Sequence, residues 1–274
     1  MKKFLVASDL SVRSDRALER AIRLARQHEA ALTVLHVIDD DLPAPLVARL
    51  RESAAETLGE VLKAQDAPEN AEVRIEAGDA VVTISETAEA VGADLVILGI
   101  HRPRAFWDML SGTTMERIVR ALRCPVLLVS EPVTGPYRSV LCGIDLSPAS
   151  ETAARTAAAL APEADYHSYH AVHVPYRGLI AREARERQIA PFLHEAEDEL
   201  AAWLKQADLP EALGTPEILT ESVETAFETM RKKTDCDLFA IGAHGRTPLS
   251  PTLLGRFTQD HIRQPVCDTL VVRG

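Results

Sequence analysis

The sequence predicts an α/β fold: two doubly wound, Rossmann-like domains, each on a mainly parallel five-stranded sheet. Three observations predict it. The chain repeats itself once, short apolar runs alternate with helical periods, and each run ends in turn residues. Strands separated by helices need crossovers, and crossovers generate parallel sheets.

The repeat rests on four anchors in the same order. FLVASDLSVRS (4–14) matches VLCGIDLSPAS (140–150), which sets Asp9 over Asp145 and Ser11 over Ser147. VLHVI (34–38) resembles AVHVP (171–175), which sets Val37 over Val174. LVILGIHRPRAFWDMLSGTT (95–114) and LFAIGAHGRTPLSPTLLGRF (238–257) share a strand, a loop and a closing glycine. CPVLLV (124–129) lies over CDTLVV (267–272). The offset grows from 136 at Asp9/Asp145 to 143 at Gly99/Gly242, so the second copy carries insertions. The domains are expected at 1–131 and 138–274. The Pro- and Gly-bearing stretch 132–137 is the expected linker.

Taken in order, residues 4–8 form a short apolar strand. SDRALERAIRLARQH follows as a helix with Leu18, Ile22 and Ala25 on one face. ALTVLHV is the second strand. A helix with Leu46, Leu50, Leu58 and Leu62 as its stripe comes next. AEVRIEA alternates as a strand, and AVVTISETAEAV has the helical period. DLVIL is continuously apolar, as a strand covered on both faces should be. The glycine loop, a helix at about 112–122 and the strand PVLLV complete the copy. The second copy repeats this plan, with a long charged helix at about 181–207 whose charge reads as a solvated face.

Composition narrows the function. The 274 residues carry a formal net charge of −11, which repels a phosphate backbone, so no nucleic-acid partner is expected. No apolar run approaches a membrane span, and MKKFLVASDL is too short in apolar residues for a signal peptide. The protein is therefore expected to be soluble and cytoplasmic. Cys124, Cys142, Cys236 and Cys267 form no C-x-x-C pair and read as small buried hydrophobes in a reducing compartment.

Motifs narrow it further. P-loop, G-x-G-x-x-G, G-x-S-x-G and H-E-x-x-H patterns are all absent. His167, His170 and His173 sit close in sequence, but on a strand 170 points away from the other two, which argues against a metal site. The two glycine loops run from a buried strand to a helix start. There, unpaired N–H groups and the positive end of the helix dipole suit a phosphate. On physics alone such loop glycines are more often turn formers than phosphate cradles.

These residues resemble the universal stress protein family across nearly the whole chain. FLVASDLS, LHVID, EAGDAVVTISETAEAVGADLVILGIHR and RCPVLLV carry the likeness. Its tandem type implies two domains paired within one chain as a pseudo-dimer. The family's nucleotide-binding members carry glycine, two residues, glycine, nine residues, then glycine with Ser or Thr. Carried over, Asp9 and Asp145 face the adenine and ribose side, and Val37 and Val174 line the base. Gly99, Gly112 and Thr113 match the first copy's loop, followed by Thr114, but Arg102 replaces its middle glycine. Gly242, Gly245 and Gly255 match in the second copy, but Arg256 replaces the Ser or Thr. EAGDA (76–80) also matches the family, where the second copy has LTESV. His101 and His244 occupy equal positions after their strands and read as scaffold. Phe106, Trp107, Met109 and Leu110 form an apolar cluster that covers the pocket, packs between the copies or makes an oligomer contact.

The resemblance implies a stress-response protein holding an adenine nucleotide, ATP with Mg2+ foremost, in at least one half. If both pockets are degenerate no cofactor is implied, and the chain is a regulatory or scaffold pseudo-dimer with a protein partner. A slow ATPase is the third reading. No general base is evident for it, so no catalytic residue is assigned.

Overall fold

The computed structural model describes residues 1–100, 114–175, 185–243 and 254–273. The chain divides into two compact units, Met1–Pro136 with Gln259–Val271, and Tyr137–Thr258 with Val272–Gly274. Of the residues singled out by sequence, His101, Arg102, Phe106, Trp107, Met109, Leu110, Gly112, Thr113, His244 and Gly245 lie outside the described residues.

The first unit runs β1 (Lys3–Ala7), α1 (Val12–Gln27), β2 (Ala31–Ile38), α2 (Ala44–Ala64), β3 (Ala71–Ala77), α3 (Ala80–Val91), β4 (Leu95–Gly99), α4 (Thr114–Ala121) and β5 (Val126–Val129). Its strands lie in the order β3-β2-β1-β4-β5, all parallel, so the order reverses between β1 and β4. β10 (Asp268–Val272) then pairs antiparallel with β5, setting Thr269 opposite Leu128 and Val271 opposite Val126. The repeat assigns that strand to the second copy, yet all but its last residue belongs to the first unit.

The central strands β1, β4 and β5 are apolar because both faces are covered. Phe4, Leu5, Val6, Leu95, Val96, Ile97, Leu127 and Leu128 are at most 1 % exposed. α1 buries Ala17, Leu18, Ala21, Ile22, Leu24 and Ala25 on one face. Ser11 caps it, and Ser14 returns its hydroxyl to the Ser11 amide in a capping box. The α2 stripe is buried at Ala54, Leu58 and Leu62 but not at Leu50, which is exposed. An apolar stripe is buried only where something stands opposite it, and α2 meets β2 and β3.

The second unit runs β6 (Ser139–Gly143), α5 (Pro148–Leu160), β7 (Asp165–Ala171), α6 (Arg185–Leu204), a short 3₁₀ turn (Glu211–Leu213), β8 (Glu217–Leu219), α7 (Val223–Thr234) and β9 (Leu238–Gly242); α8 (Arg256–Arg263), before β10, starts in it and belongs to the first unit from Gln259 on. Its parallel strands lie in the order β8-β7-β6-β9, the same winding as the first unit. Here the core gains aromatics. Phe227 and Phe239 pack with ring centroids 4.5 Å apart, and Phe257 meets both edge-on.

The strand registers correct one alignment read from sequence. Ala7 pairs with Leu35 in the first unit and Gly143 with Tyr169 in the second. His36 therefore corresponds to His170, not to His173, and Val37 corresponds to Ala171. Val174 is buried, but it lies three residues past the end of β7. Histidine recurs every third residue in HSYHAVH, so the sequence offered two registers and only the ladder chose.

Candidate functional site

In both units the chain leaves the first strand through the same turn. β1 ends at Ala7 and β6 at Gly143, and the aspartate follows two residues later. Asp9 Oδ1 accepts the Ser11 amide at 3.1 Å, and Asp145 Oδ1 accepts the Ser147 amide at 3.0 Å. The residue between them is left-handed in each case, Leu10 at φ 60° and Leu146 at φ 63°. Each serine then caps the helix that follows, Ser11 for α1 and Ser147 for α5. The turn thus places a carboxylate at the carboxyl end of the first strand, beside a helix N-terminus.

The histidines support this turn from the neighbouring strand. His36 Nδ1 lies 2.8 Å from the Ser8 carbonyl, and His170 Nδ1 lies 2.7 Å from the Ile144 carbonyl. Both carbonyls belong to the residue just before the aspartate. The sequence singled out neither bond, although the shared LH and YH steps were its visible signal.

The two leading glycines of the loops have a reason that involves no ligand. A Cβ on Gly99 would stand 2.6 Å from the Arg13 carbonyl oxygen, and one on Gly242 would stand 2.9 Å from the Ser150 amide nitrogen. Strand and helix N-terminus approach so closely that only glycine fits. Gly255 differs, since a Cβ there would meet nothing nearer than 3.8 Å. Thr114 opens α4, and Arg256 opens α8 with its side chain exposed.

The third helices keep one function through different residues. Asp79 accepts the amides of Val81 and Val82 at 3.0 Å to cap α3. Ser222, in the divergent LTESV segment, accepts the Thr225 amide to cap α7. EAGDA is thus helix-capping chemistry in the first unit, and its apparent loss in the second is a replacement.

The second unit has a crevice of about 380 Å³ at the carboxyl ends of β6 and β7. Asp145, His170, His173, Phe192, Glu195 and Glu199 are among its lining. Open α/β sheets bind ligands outside the carboxyl ends of their strands, and this volume suits a small molecule. His167, His170 and His173 do not gather there as a metal triad: His170 is buried and bonded, while His173 is exposed beyond the strand. Among the described residues, the one close group of ligand-type side chains is the exposed trio Asp39, Asp40 and Asp41.

No disulfide joins the four cysteines, three of which are buried. Burial, with Cys236 alongside, pushes the Cys142 thiol up to about 12. Burial pushes Cys124 up to about 11. Neither thiol is tuned as a nucleophile. Among the described residues, no helix is long and apolar enough to cross a membrane.

A family model described as the universal stress protein family matches residues 1–130 and again residues 136–273. A universal stress protein of Mycolicibacterium smegmatis is 28% identical over 301 residues, covering 98% of this chain and 96% of its own length. One from Methanocaldococcus jannaschii is 28% identical over 144 residues, covering 48% of this chain and 83% of its own. Among solved structures, a universal stress protein from Archaeoglobus fulgidus superposes over 99% of this chain and 98% of its own, with a TM-score of 0.69 at 19% identity. Another from Pseudomonas aeruginosa covers 100% of this chain and 93% of its own, with a TM-score of 0.67 at 19% identity.

Proposed function

Because the chain belongs to the universal stress protein family, matched by its model in both halves, we propose that it binds an adenine nucleotide, with ATP the first candidate, in a cytoplasmic stress-response role. The observation that carries this reading is the duplicated aspartate turn. Each unit holds a carboxylate two residues past its first strand, against a capped helix N-terminus. A carboxylate there can accept hydroxyl and amine donors of a nucleoside, and the adjoining helix dipole favours the negative end of the same ligand. Cysteines that form no disulfide fit a reducing compartment.

Asp9 and Asp145 are the recognition residues of this reading. Gly255 and Thr114, at the loop ends, are its described phosphate-side elements. Arg102, Gly112, Thr113 and Gly245 complete the loops by sequence. Val37 sits half-buried near the end of β2, where a base can lie against it.

Isothermal titration of the full chain with ATP and Mg2+ tests the proposal. Saturable binding, weakened in Asp9→Ala or Asp145→Ala, is the expected result. Absence of heat and of co-purified nucleotide at millimolar ATP overturns it and leaves the regulatory pseudo-dimer reading in its place.

A further inference from the structure

We infer that His36 and His170 are positioning residues: each fixes the peptide that leads into its unit's aspartate, which in the second unit lines the crevice. The inference rests on the nucleotide reading for its ligand, but its geometry stands apart from it.

A backbone carbonyl only accepts, so the ring nitrogen facing it must carry the proton. His36 Nδ1 therefore donates to Ser8 O at 2.8 Å, and His170 Nδ1 donates to Ile144 O at 2.7 Å. These carbonyls mark the point where the chain departs from the ladder. The amide of the same residue still bonds across, Ser8 N to Leu35 O and Ile144 N to Tyr169 O, both at 2.9 Å. The residue two further on is already left-handed. One residue thus has its N–H held by the neighbouring backbone and its C=O, which belongs to the peptide leading into the aspartate, held by the neighbouring side chain. The next residue is Asp9 or Asp145.

A carboxylate that recognises a ligand must be held within a few tenths of an ångström of its working place. The helix side holds the turn through serines: the Asp145 amide donates to Ser150 Oγ at 3.4 Å, Ser147 Oγ donates to Asp145 Oδ1 at 2.5 Å, and the Leu10 amide donates to Ser8 Oγ at 3.1 Å, while the histidine holds the same turn from the neighbouring strand. Two copies with different flanking residues, VLHVI (34–38) and SYHAV (168–172), arrive at the same bond. His170 is 5 % exposed, which excludes water as a competing donor. It also lines the crevice, so its ring stands between the fold and the ligand space.

Asparagine separates positioning from bulk packing, because its side-chain nitrogen can reach where Nδ1 stands. The full chain is made as H36L/H170L and as H36N/H170N, with and without D9A/D145A. Expected in titrations with ATP and Mg2+ is a loss on the order of tenfold for the leucine pair, as for removal of one aligned hydrogen bond. The asparagine pair recovers binding to within about threefold on the same reasoning. Adding the leucines to D9A/D145A costs nothing further, because residues that act through one another are not additive. Native-like binding in the leucine pair, no rescue by asparagine, or additive losses each overturn the inference.

A second readout needs no nucleotide. Nitrogen-15 spectra of the native chain are expected to show both imidazoles as the Nδ1–H tautomer. The amide resonances of residues 9–11 and 145–147 should move in the leucine pair and return in the asparagine pair. If the native chain binds no ATP, the nucleotide reading fails, and these spectra alone decide the histidine roles. An Nε2–H tautomer, or unmoved turn amides, overturns them.

Discussion

Asp268 Oδ2 lies 3.4 Å from Arg20 Nε, joining the last strand of the chain to its first helix inside one unit. Both side chains are buried, at 1% and 6% exposure. Asp268 Oδ1 also accepts the Ser130 and Glu131 amides at 2.8 and 3.2 Å, while Arg20 donates to the Gly135 carbonyl at 2.8 Å. One ion pair therefore holds the chain just before the expected linker, at Ser130 and Glu131, and again within it, at Gly135. In the first copy the corresponding residue is Pro125, so this clamp exists once.

Removing one partner of a buried pair strands the other charge. Asp268→Ala is expected to cost about 3–5 kcal/mol. Urea unfolding checks this, and a loss under about 1 kcal/mol would show that Arg20 finds water instead.

Glycine substitutions should sort the loop glycines by role. Gly99→Ala and Gly242→Ala push a Cβ into helix backbone and are expected to destabilise by about 1–3 kcal/mol. Gly255→Ala makes only ordinary contacts, at 3.8 Å, and should leave stability within about 0.5 kcal/mol. A fall in ATP affinity for Gly255→Ala at unchanged melting temperature would mark that backbone as ligand-facing. An equal loss of stability at all three positions would refute the distinction.

The caps of the third helices should prove equivalent despite their different residues. Asp79→Ala and Ser222→Ala are each expected to cost about 1 kcal/mol. Exchanging them, Asp79→Ser and Ser222→Asp, should be nearly neutral in chemical denaturation. A cost above about 2 kcal/mol for either exchange would give Asp79 a role beyond capping.

Alkaline stability should follow the Cys142 thiol. Its folded value is raised to about 12 from an ordinary 9.0, so the neutral form is favoured in the fold. The resulting stability is complete below about pH 9 and is lost as pH rises toward 12, because the unfolded chain ionises first. Half-buried Tyr166 and buried Tyr169 are raised as well and act with the same sign. Cys142→Ala should flatten the fall in urea midpoint between pH 9 and 10.5 relative to the native chain. Parallel curves would remove Cys142 from the explanation.

Much of the fold was legible because it is written in local signals. Apolar runs, helical periods and the repeated DLS turn each report on a few neighbouring residues, and β1, α1, α3, β4 and β5 fall close to where those signals place them. Of the candidate site, Asp9 and Asp145 were legible for the same reason, since turn and cap lie within six residues of each other. The second β2-type strand was misread by three positions, because a histidine recurring every third residue satisfies two registers.

What the sequence determined by itself is the duplication, the α/β class and the pair of aspartates. Tertiary structure alone decided that His170 rather than His173 backs its aspartate, and that Gly99 and Gly242 are glycines because a helix backbone presses on them. It also decided that the last strand pairs with β5 in the first unit. Those facts depend on distances between segments remote in sequence. Such distances are set by ladder hydrogen bonds and core packing, which no local pattern encodes.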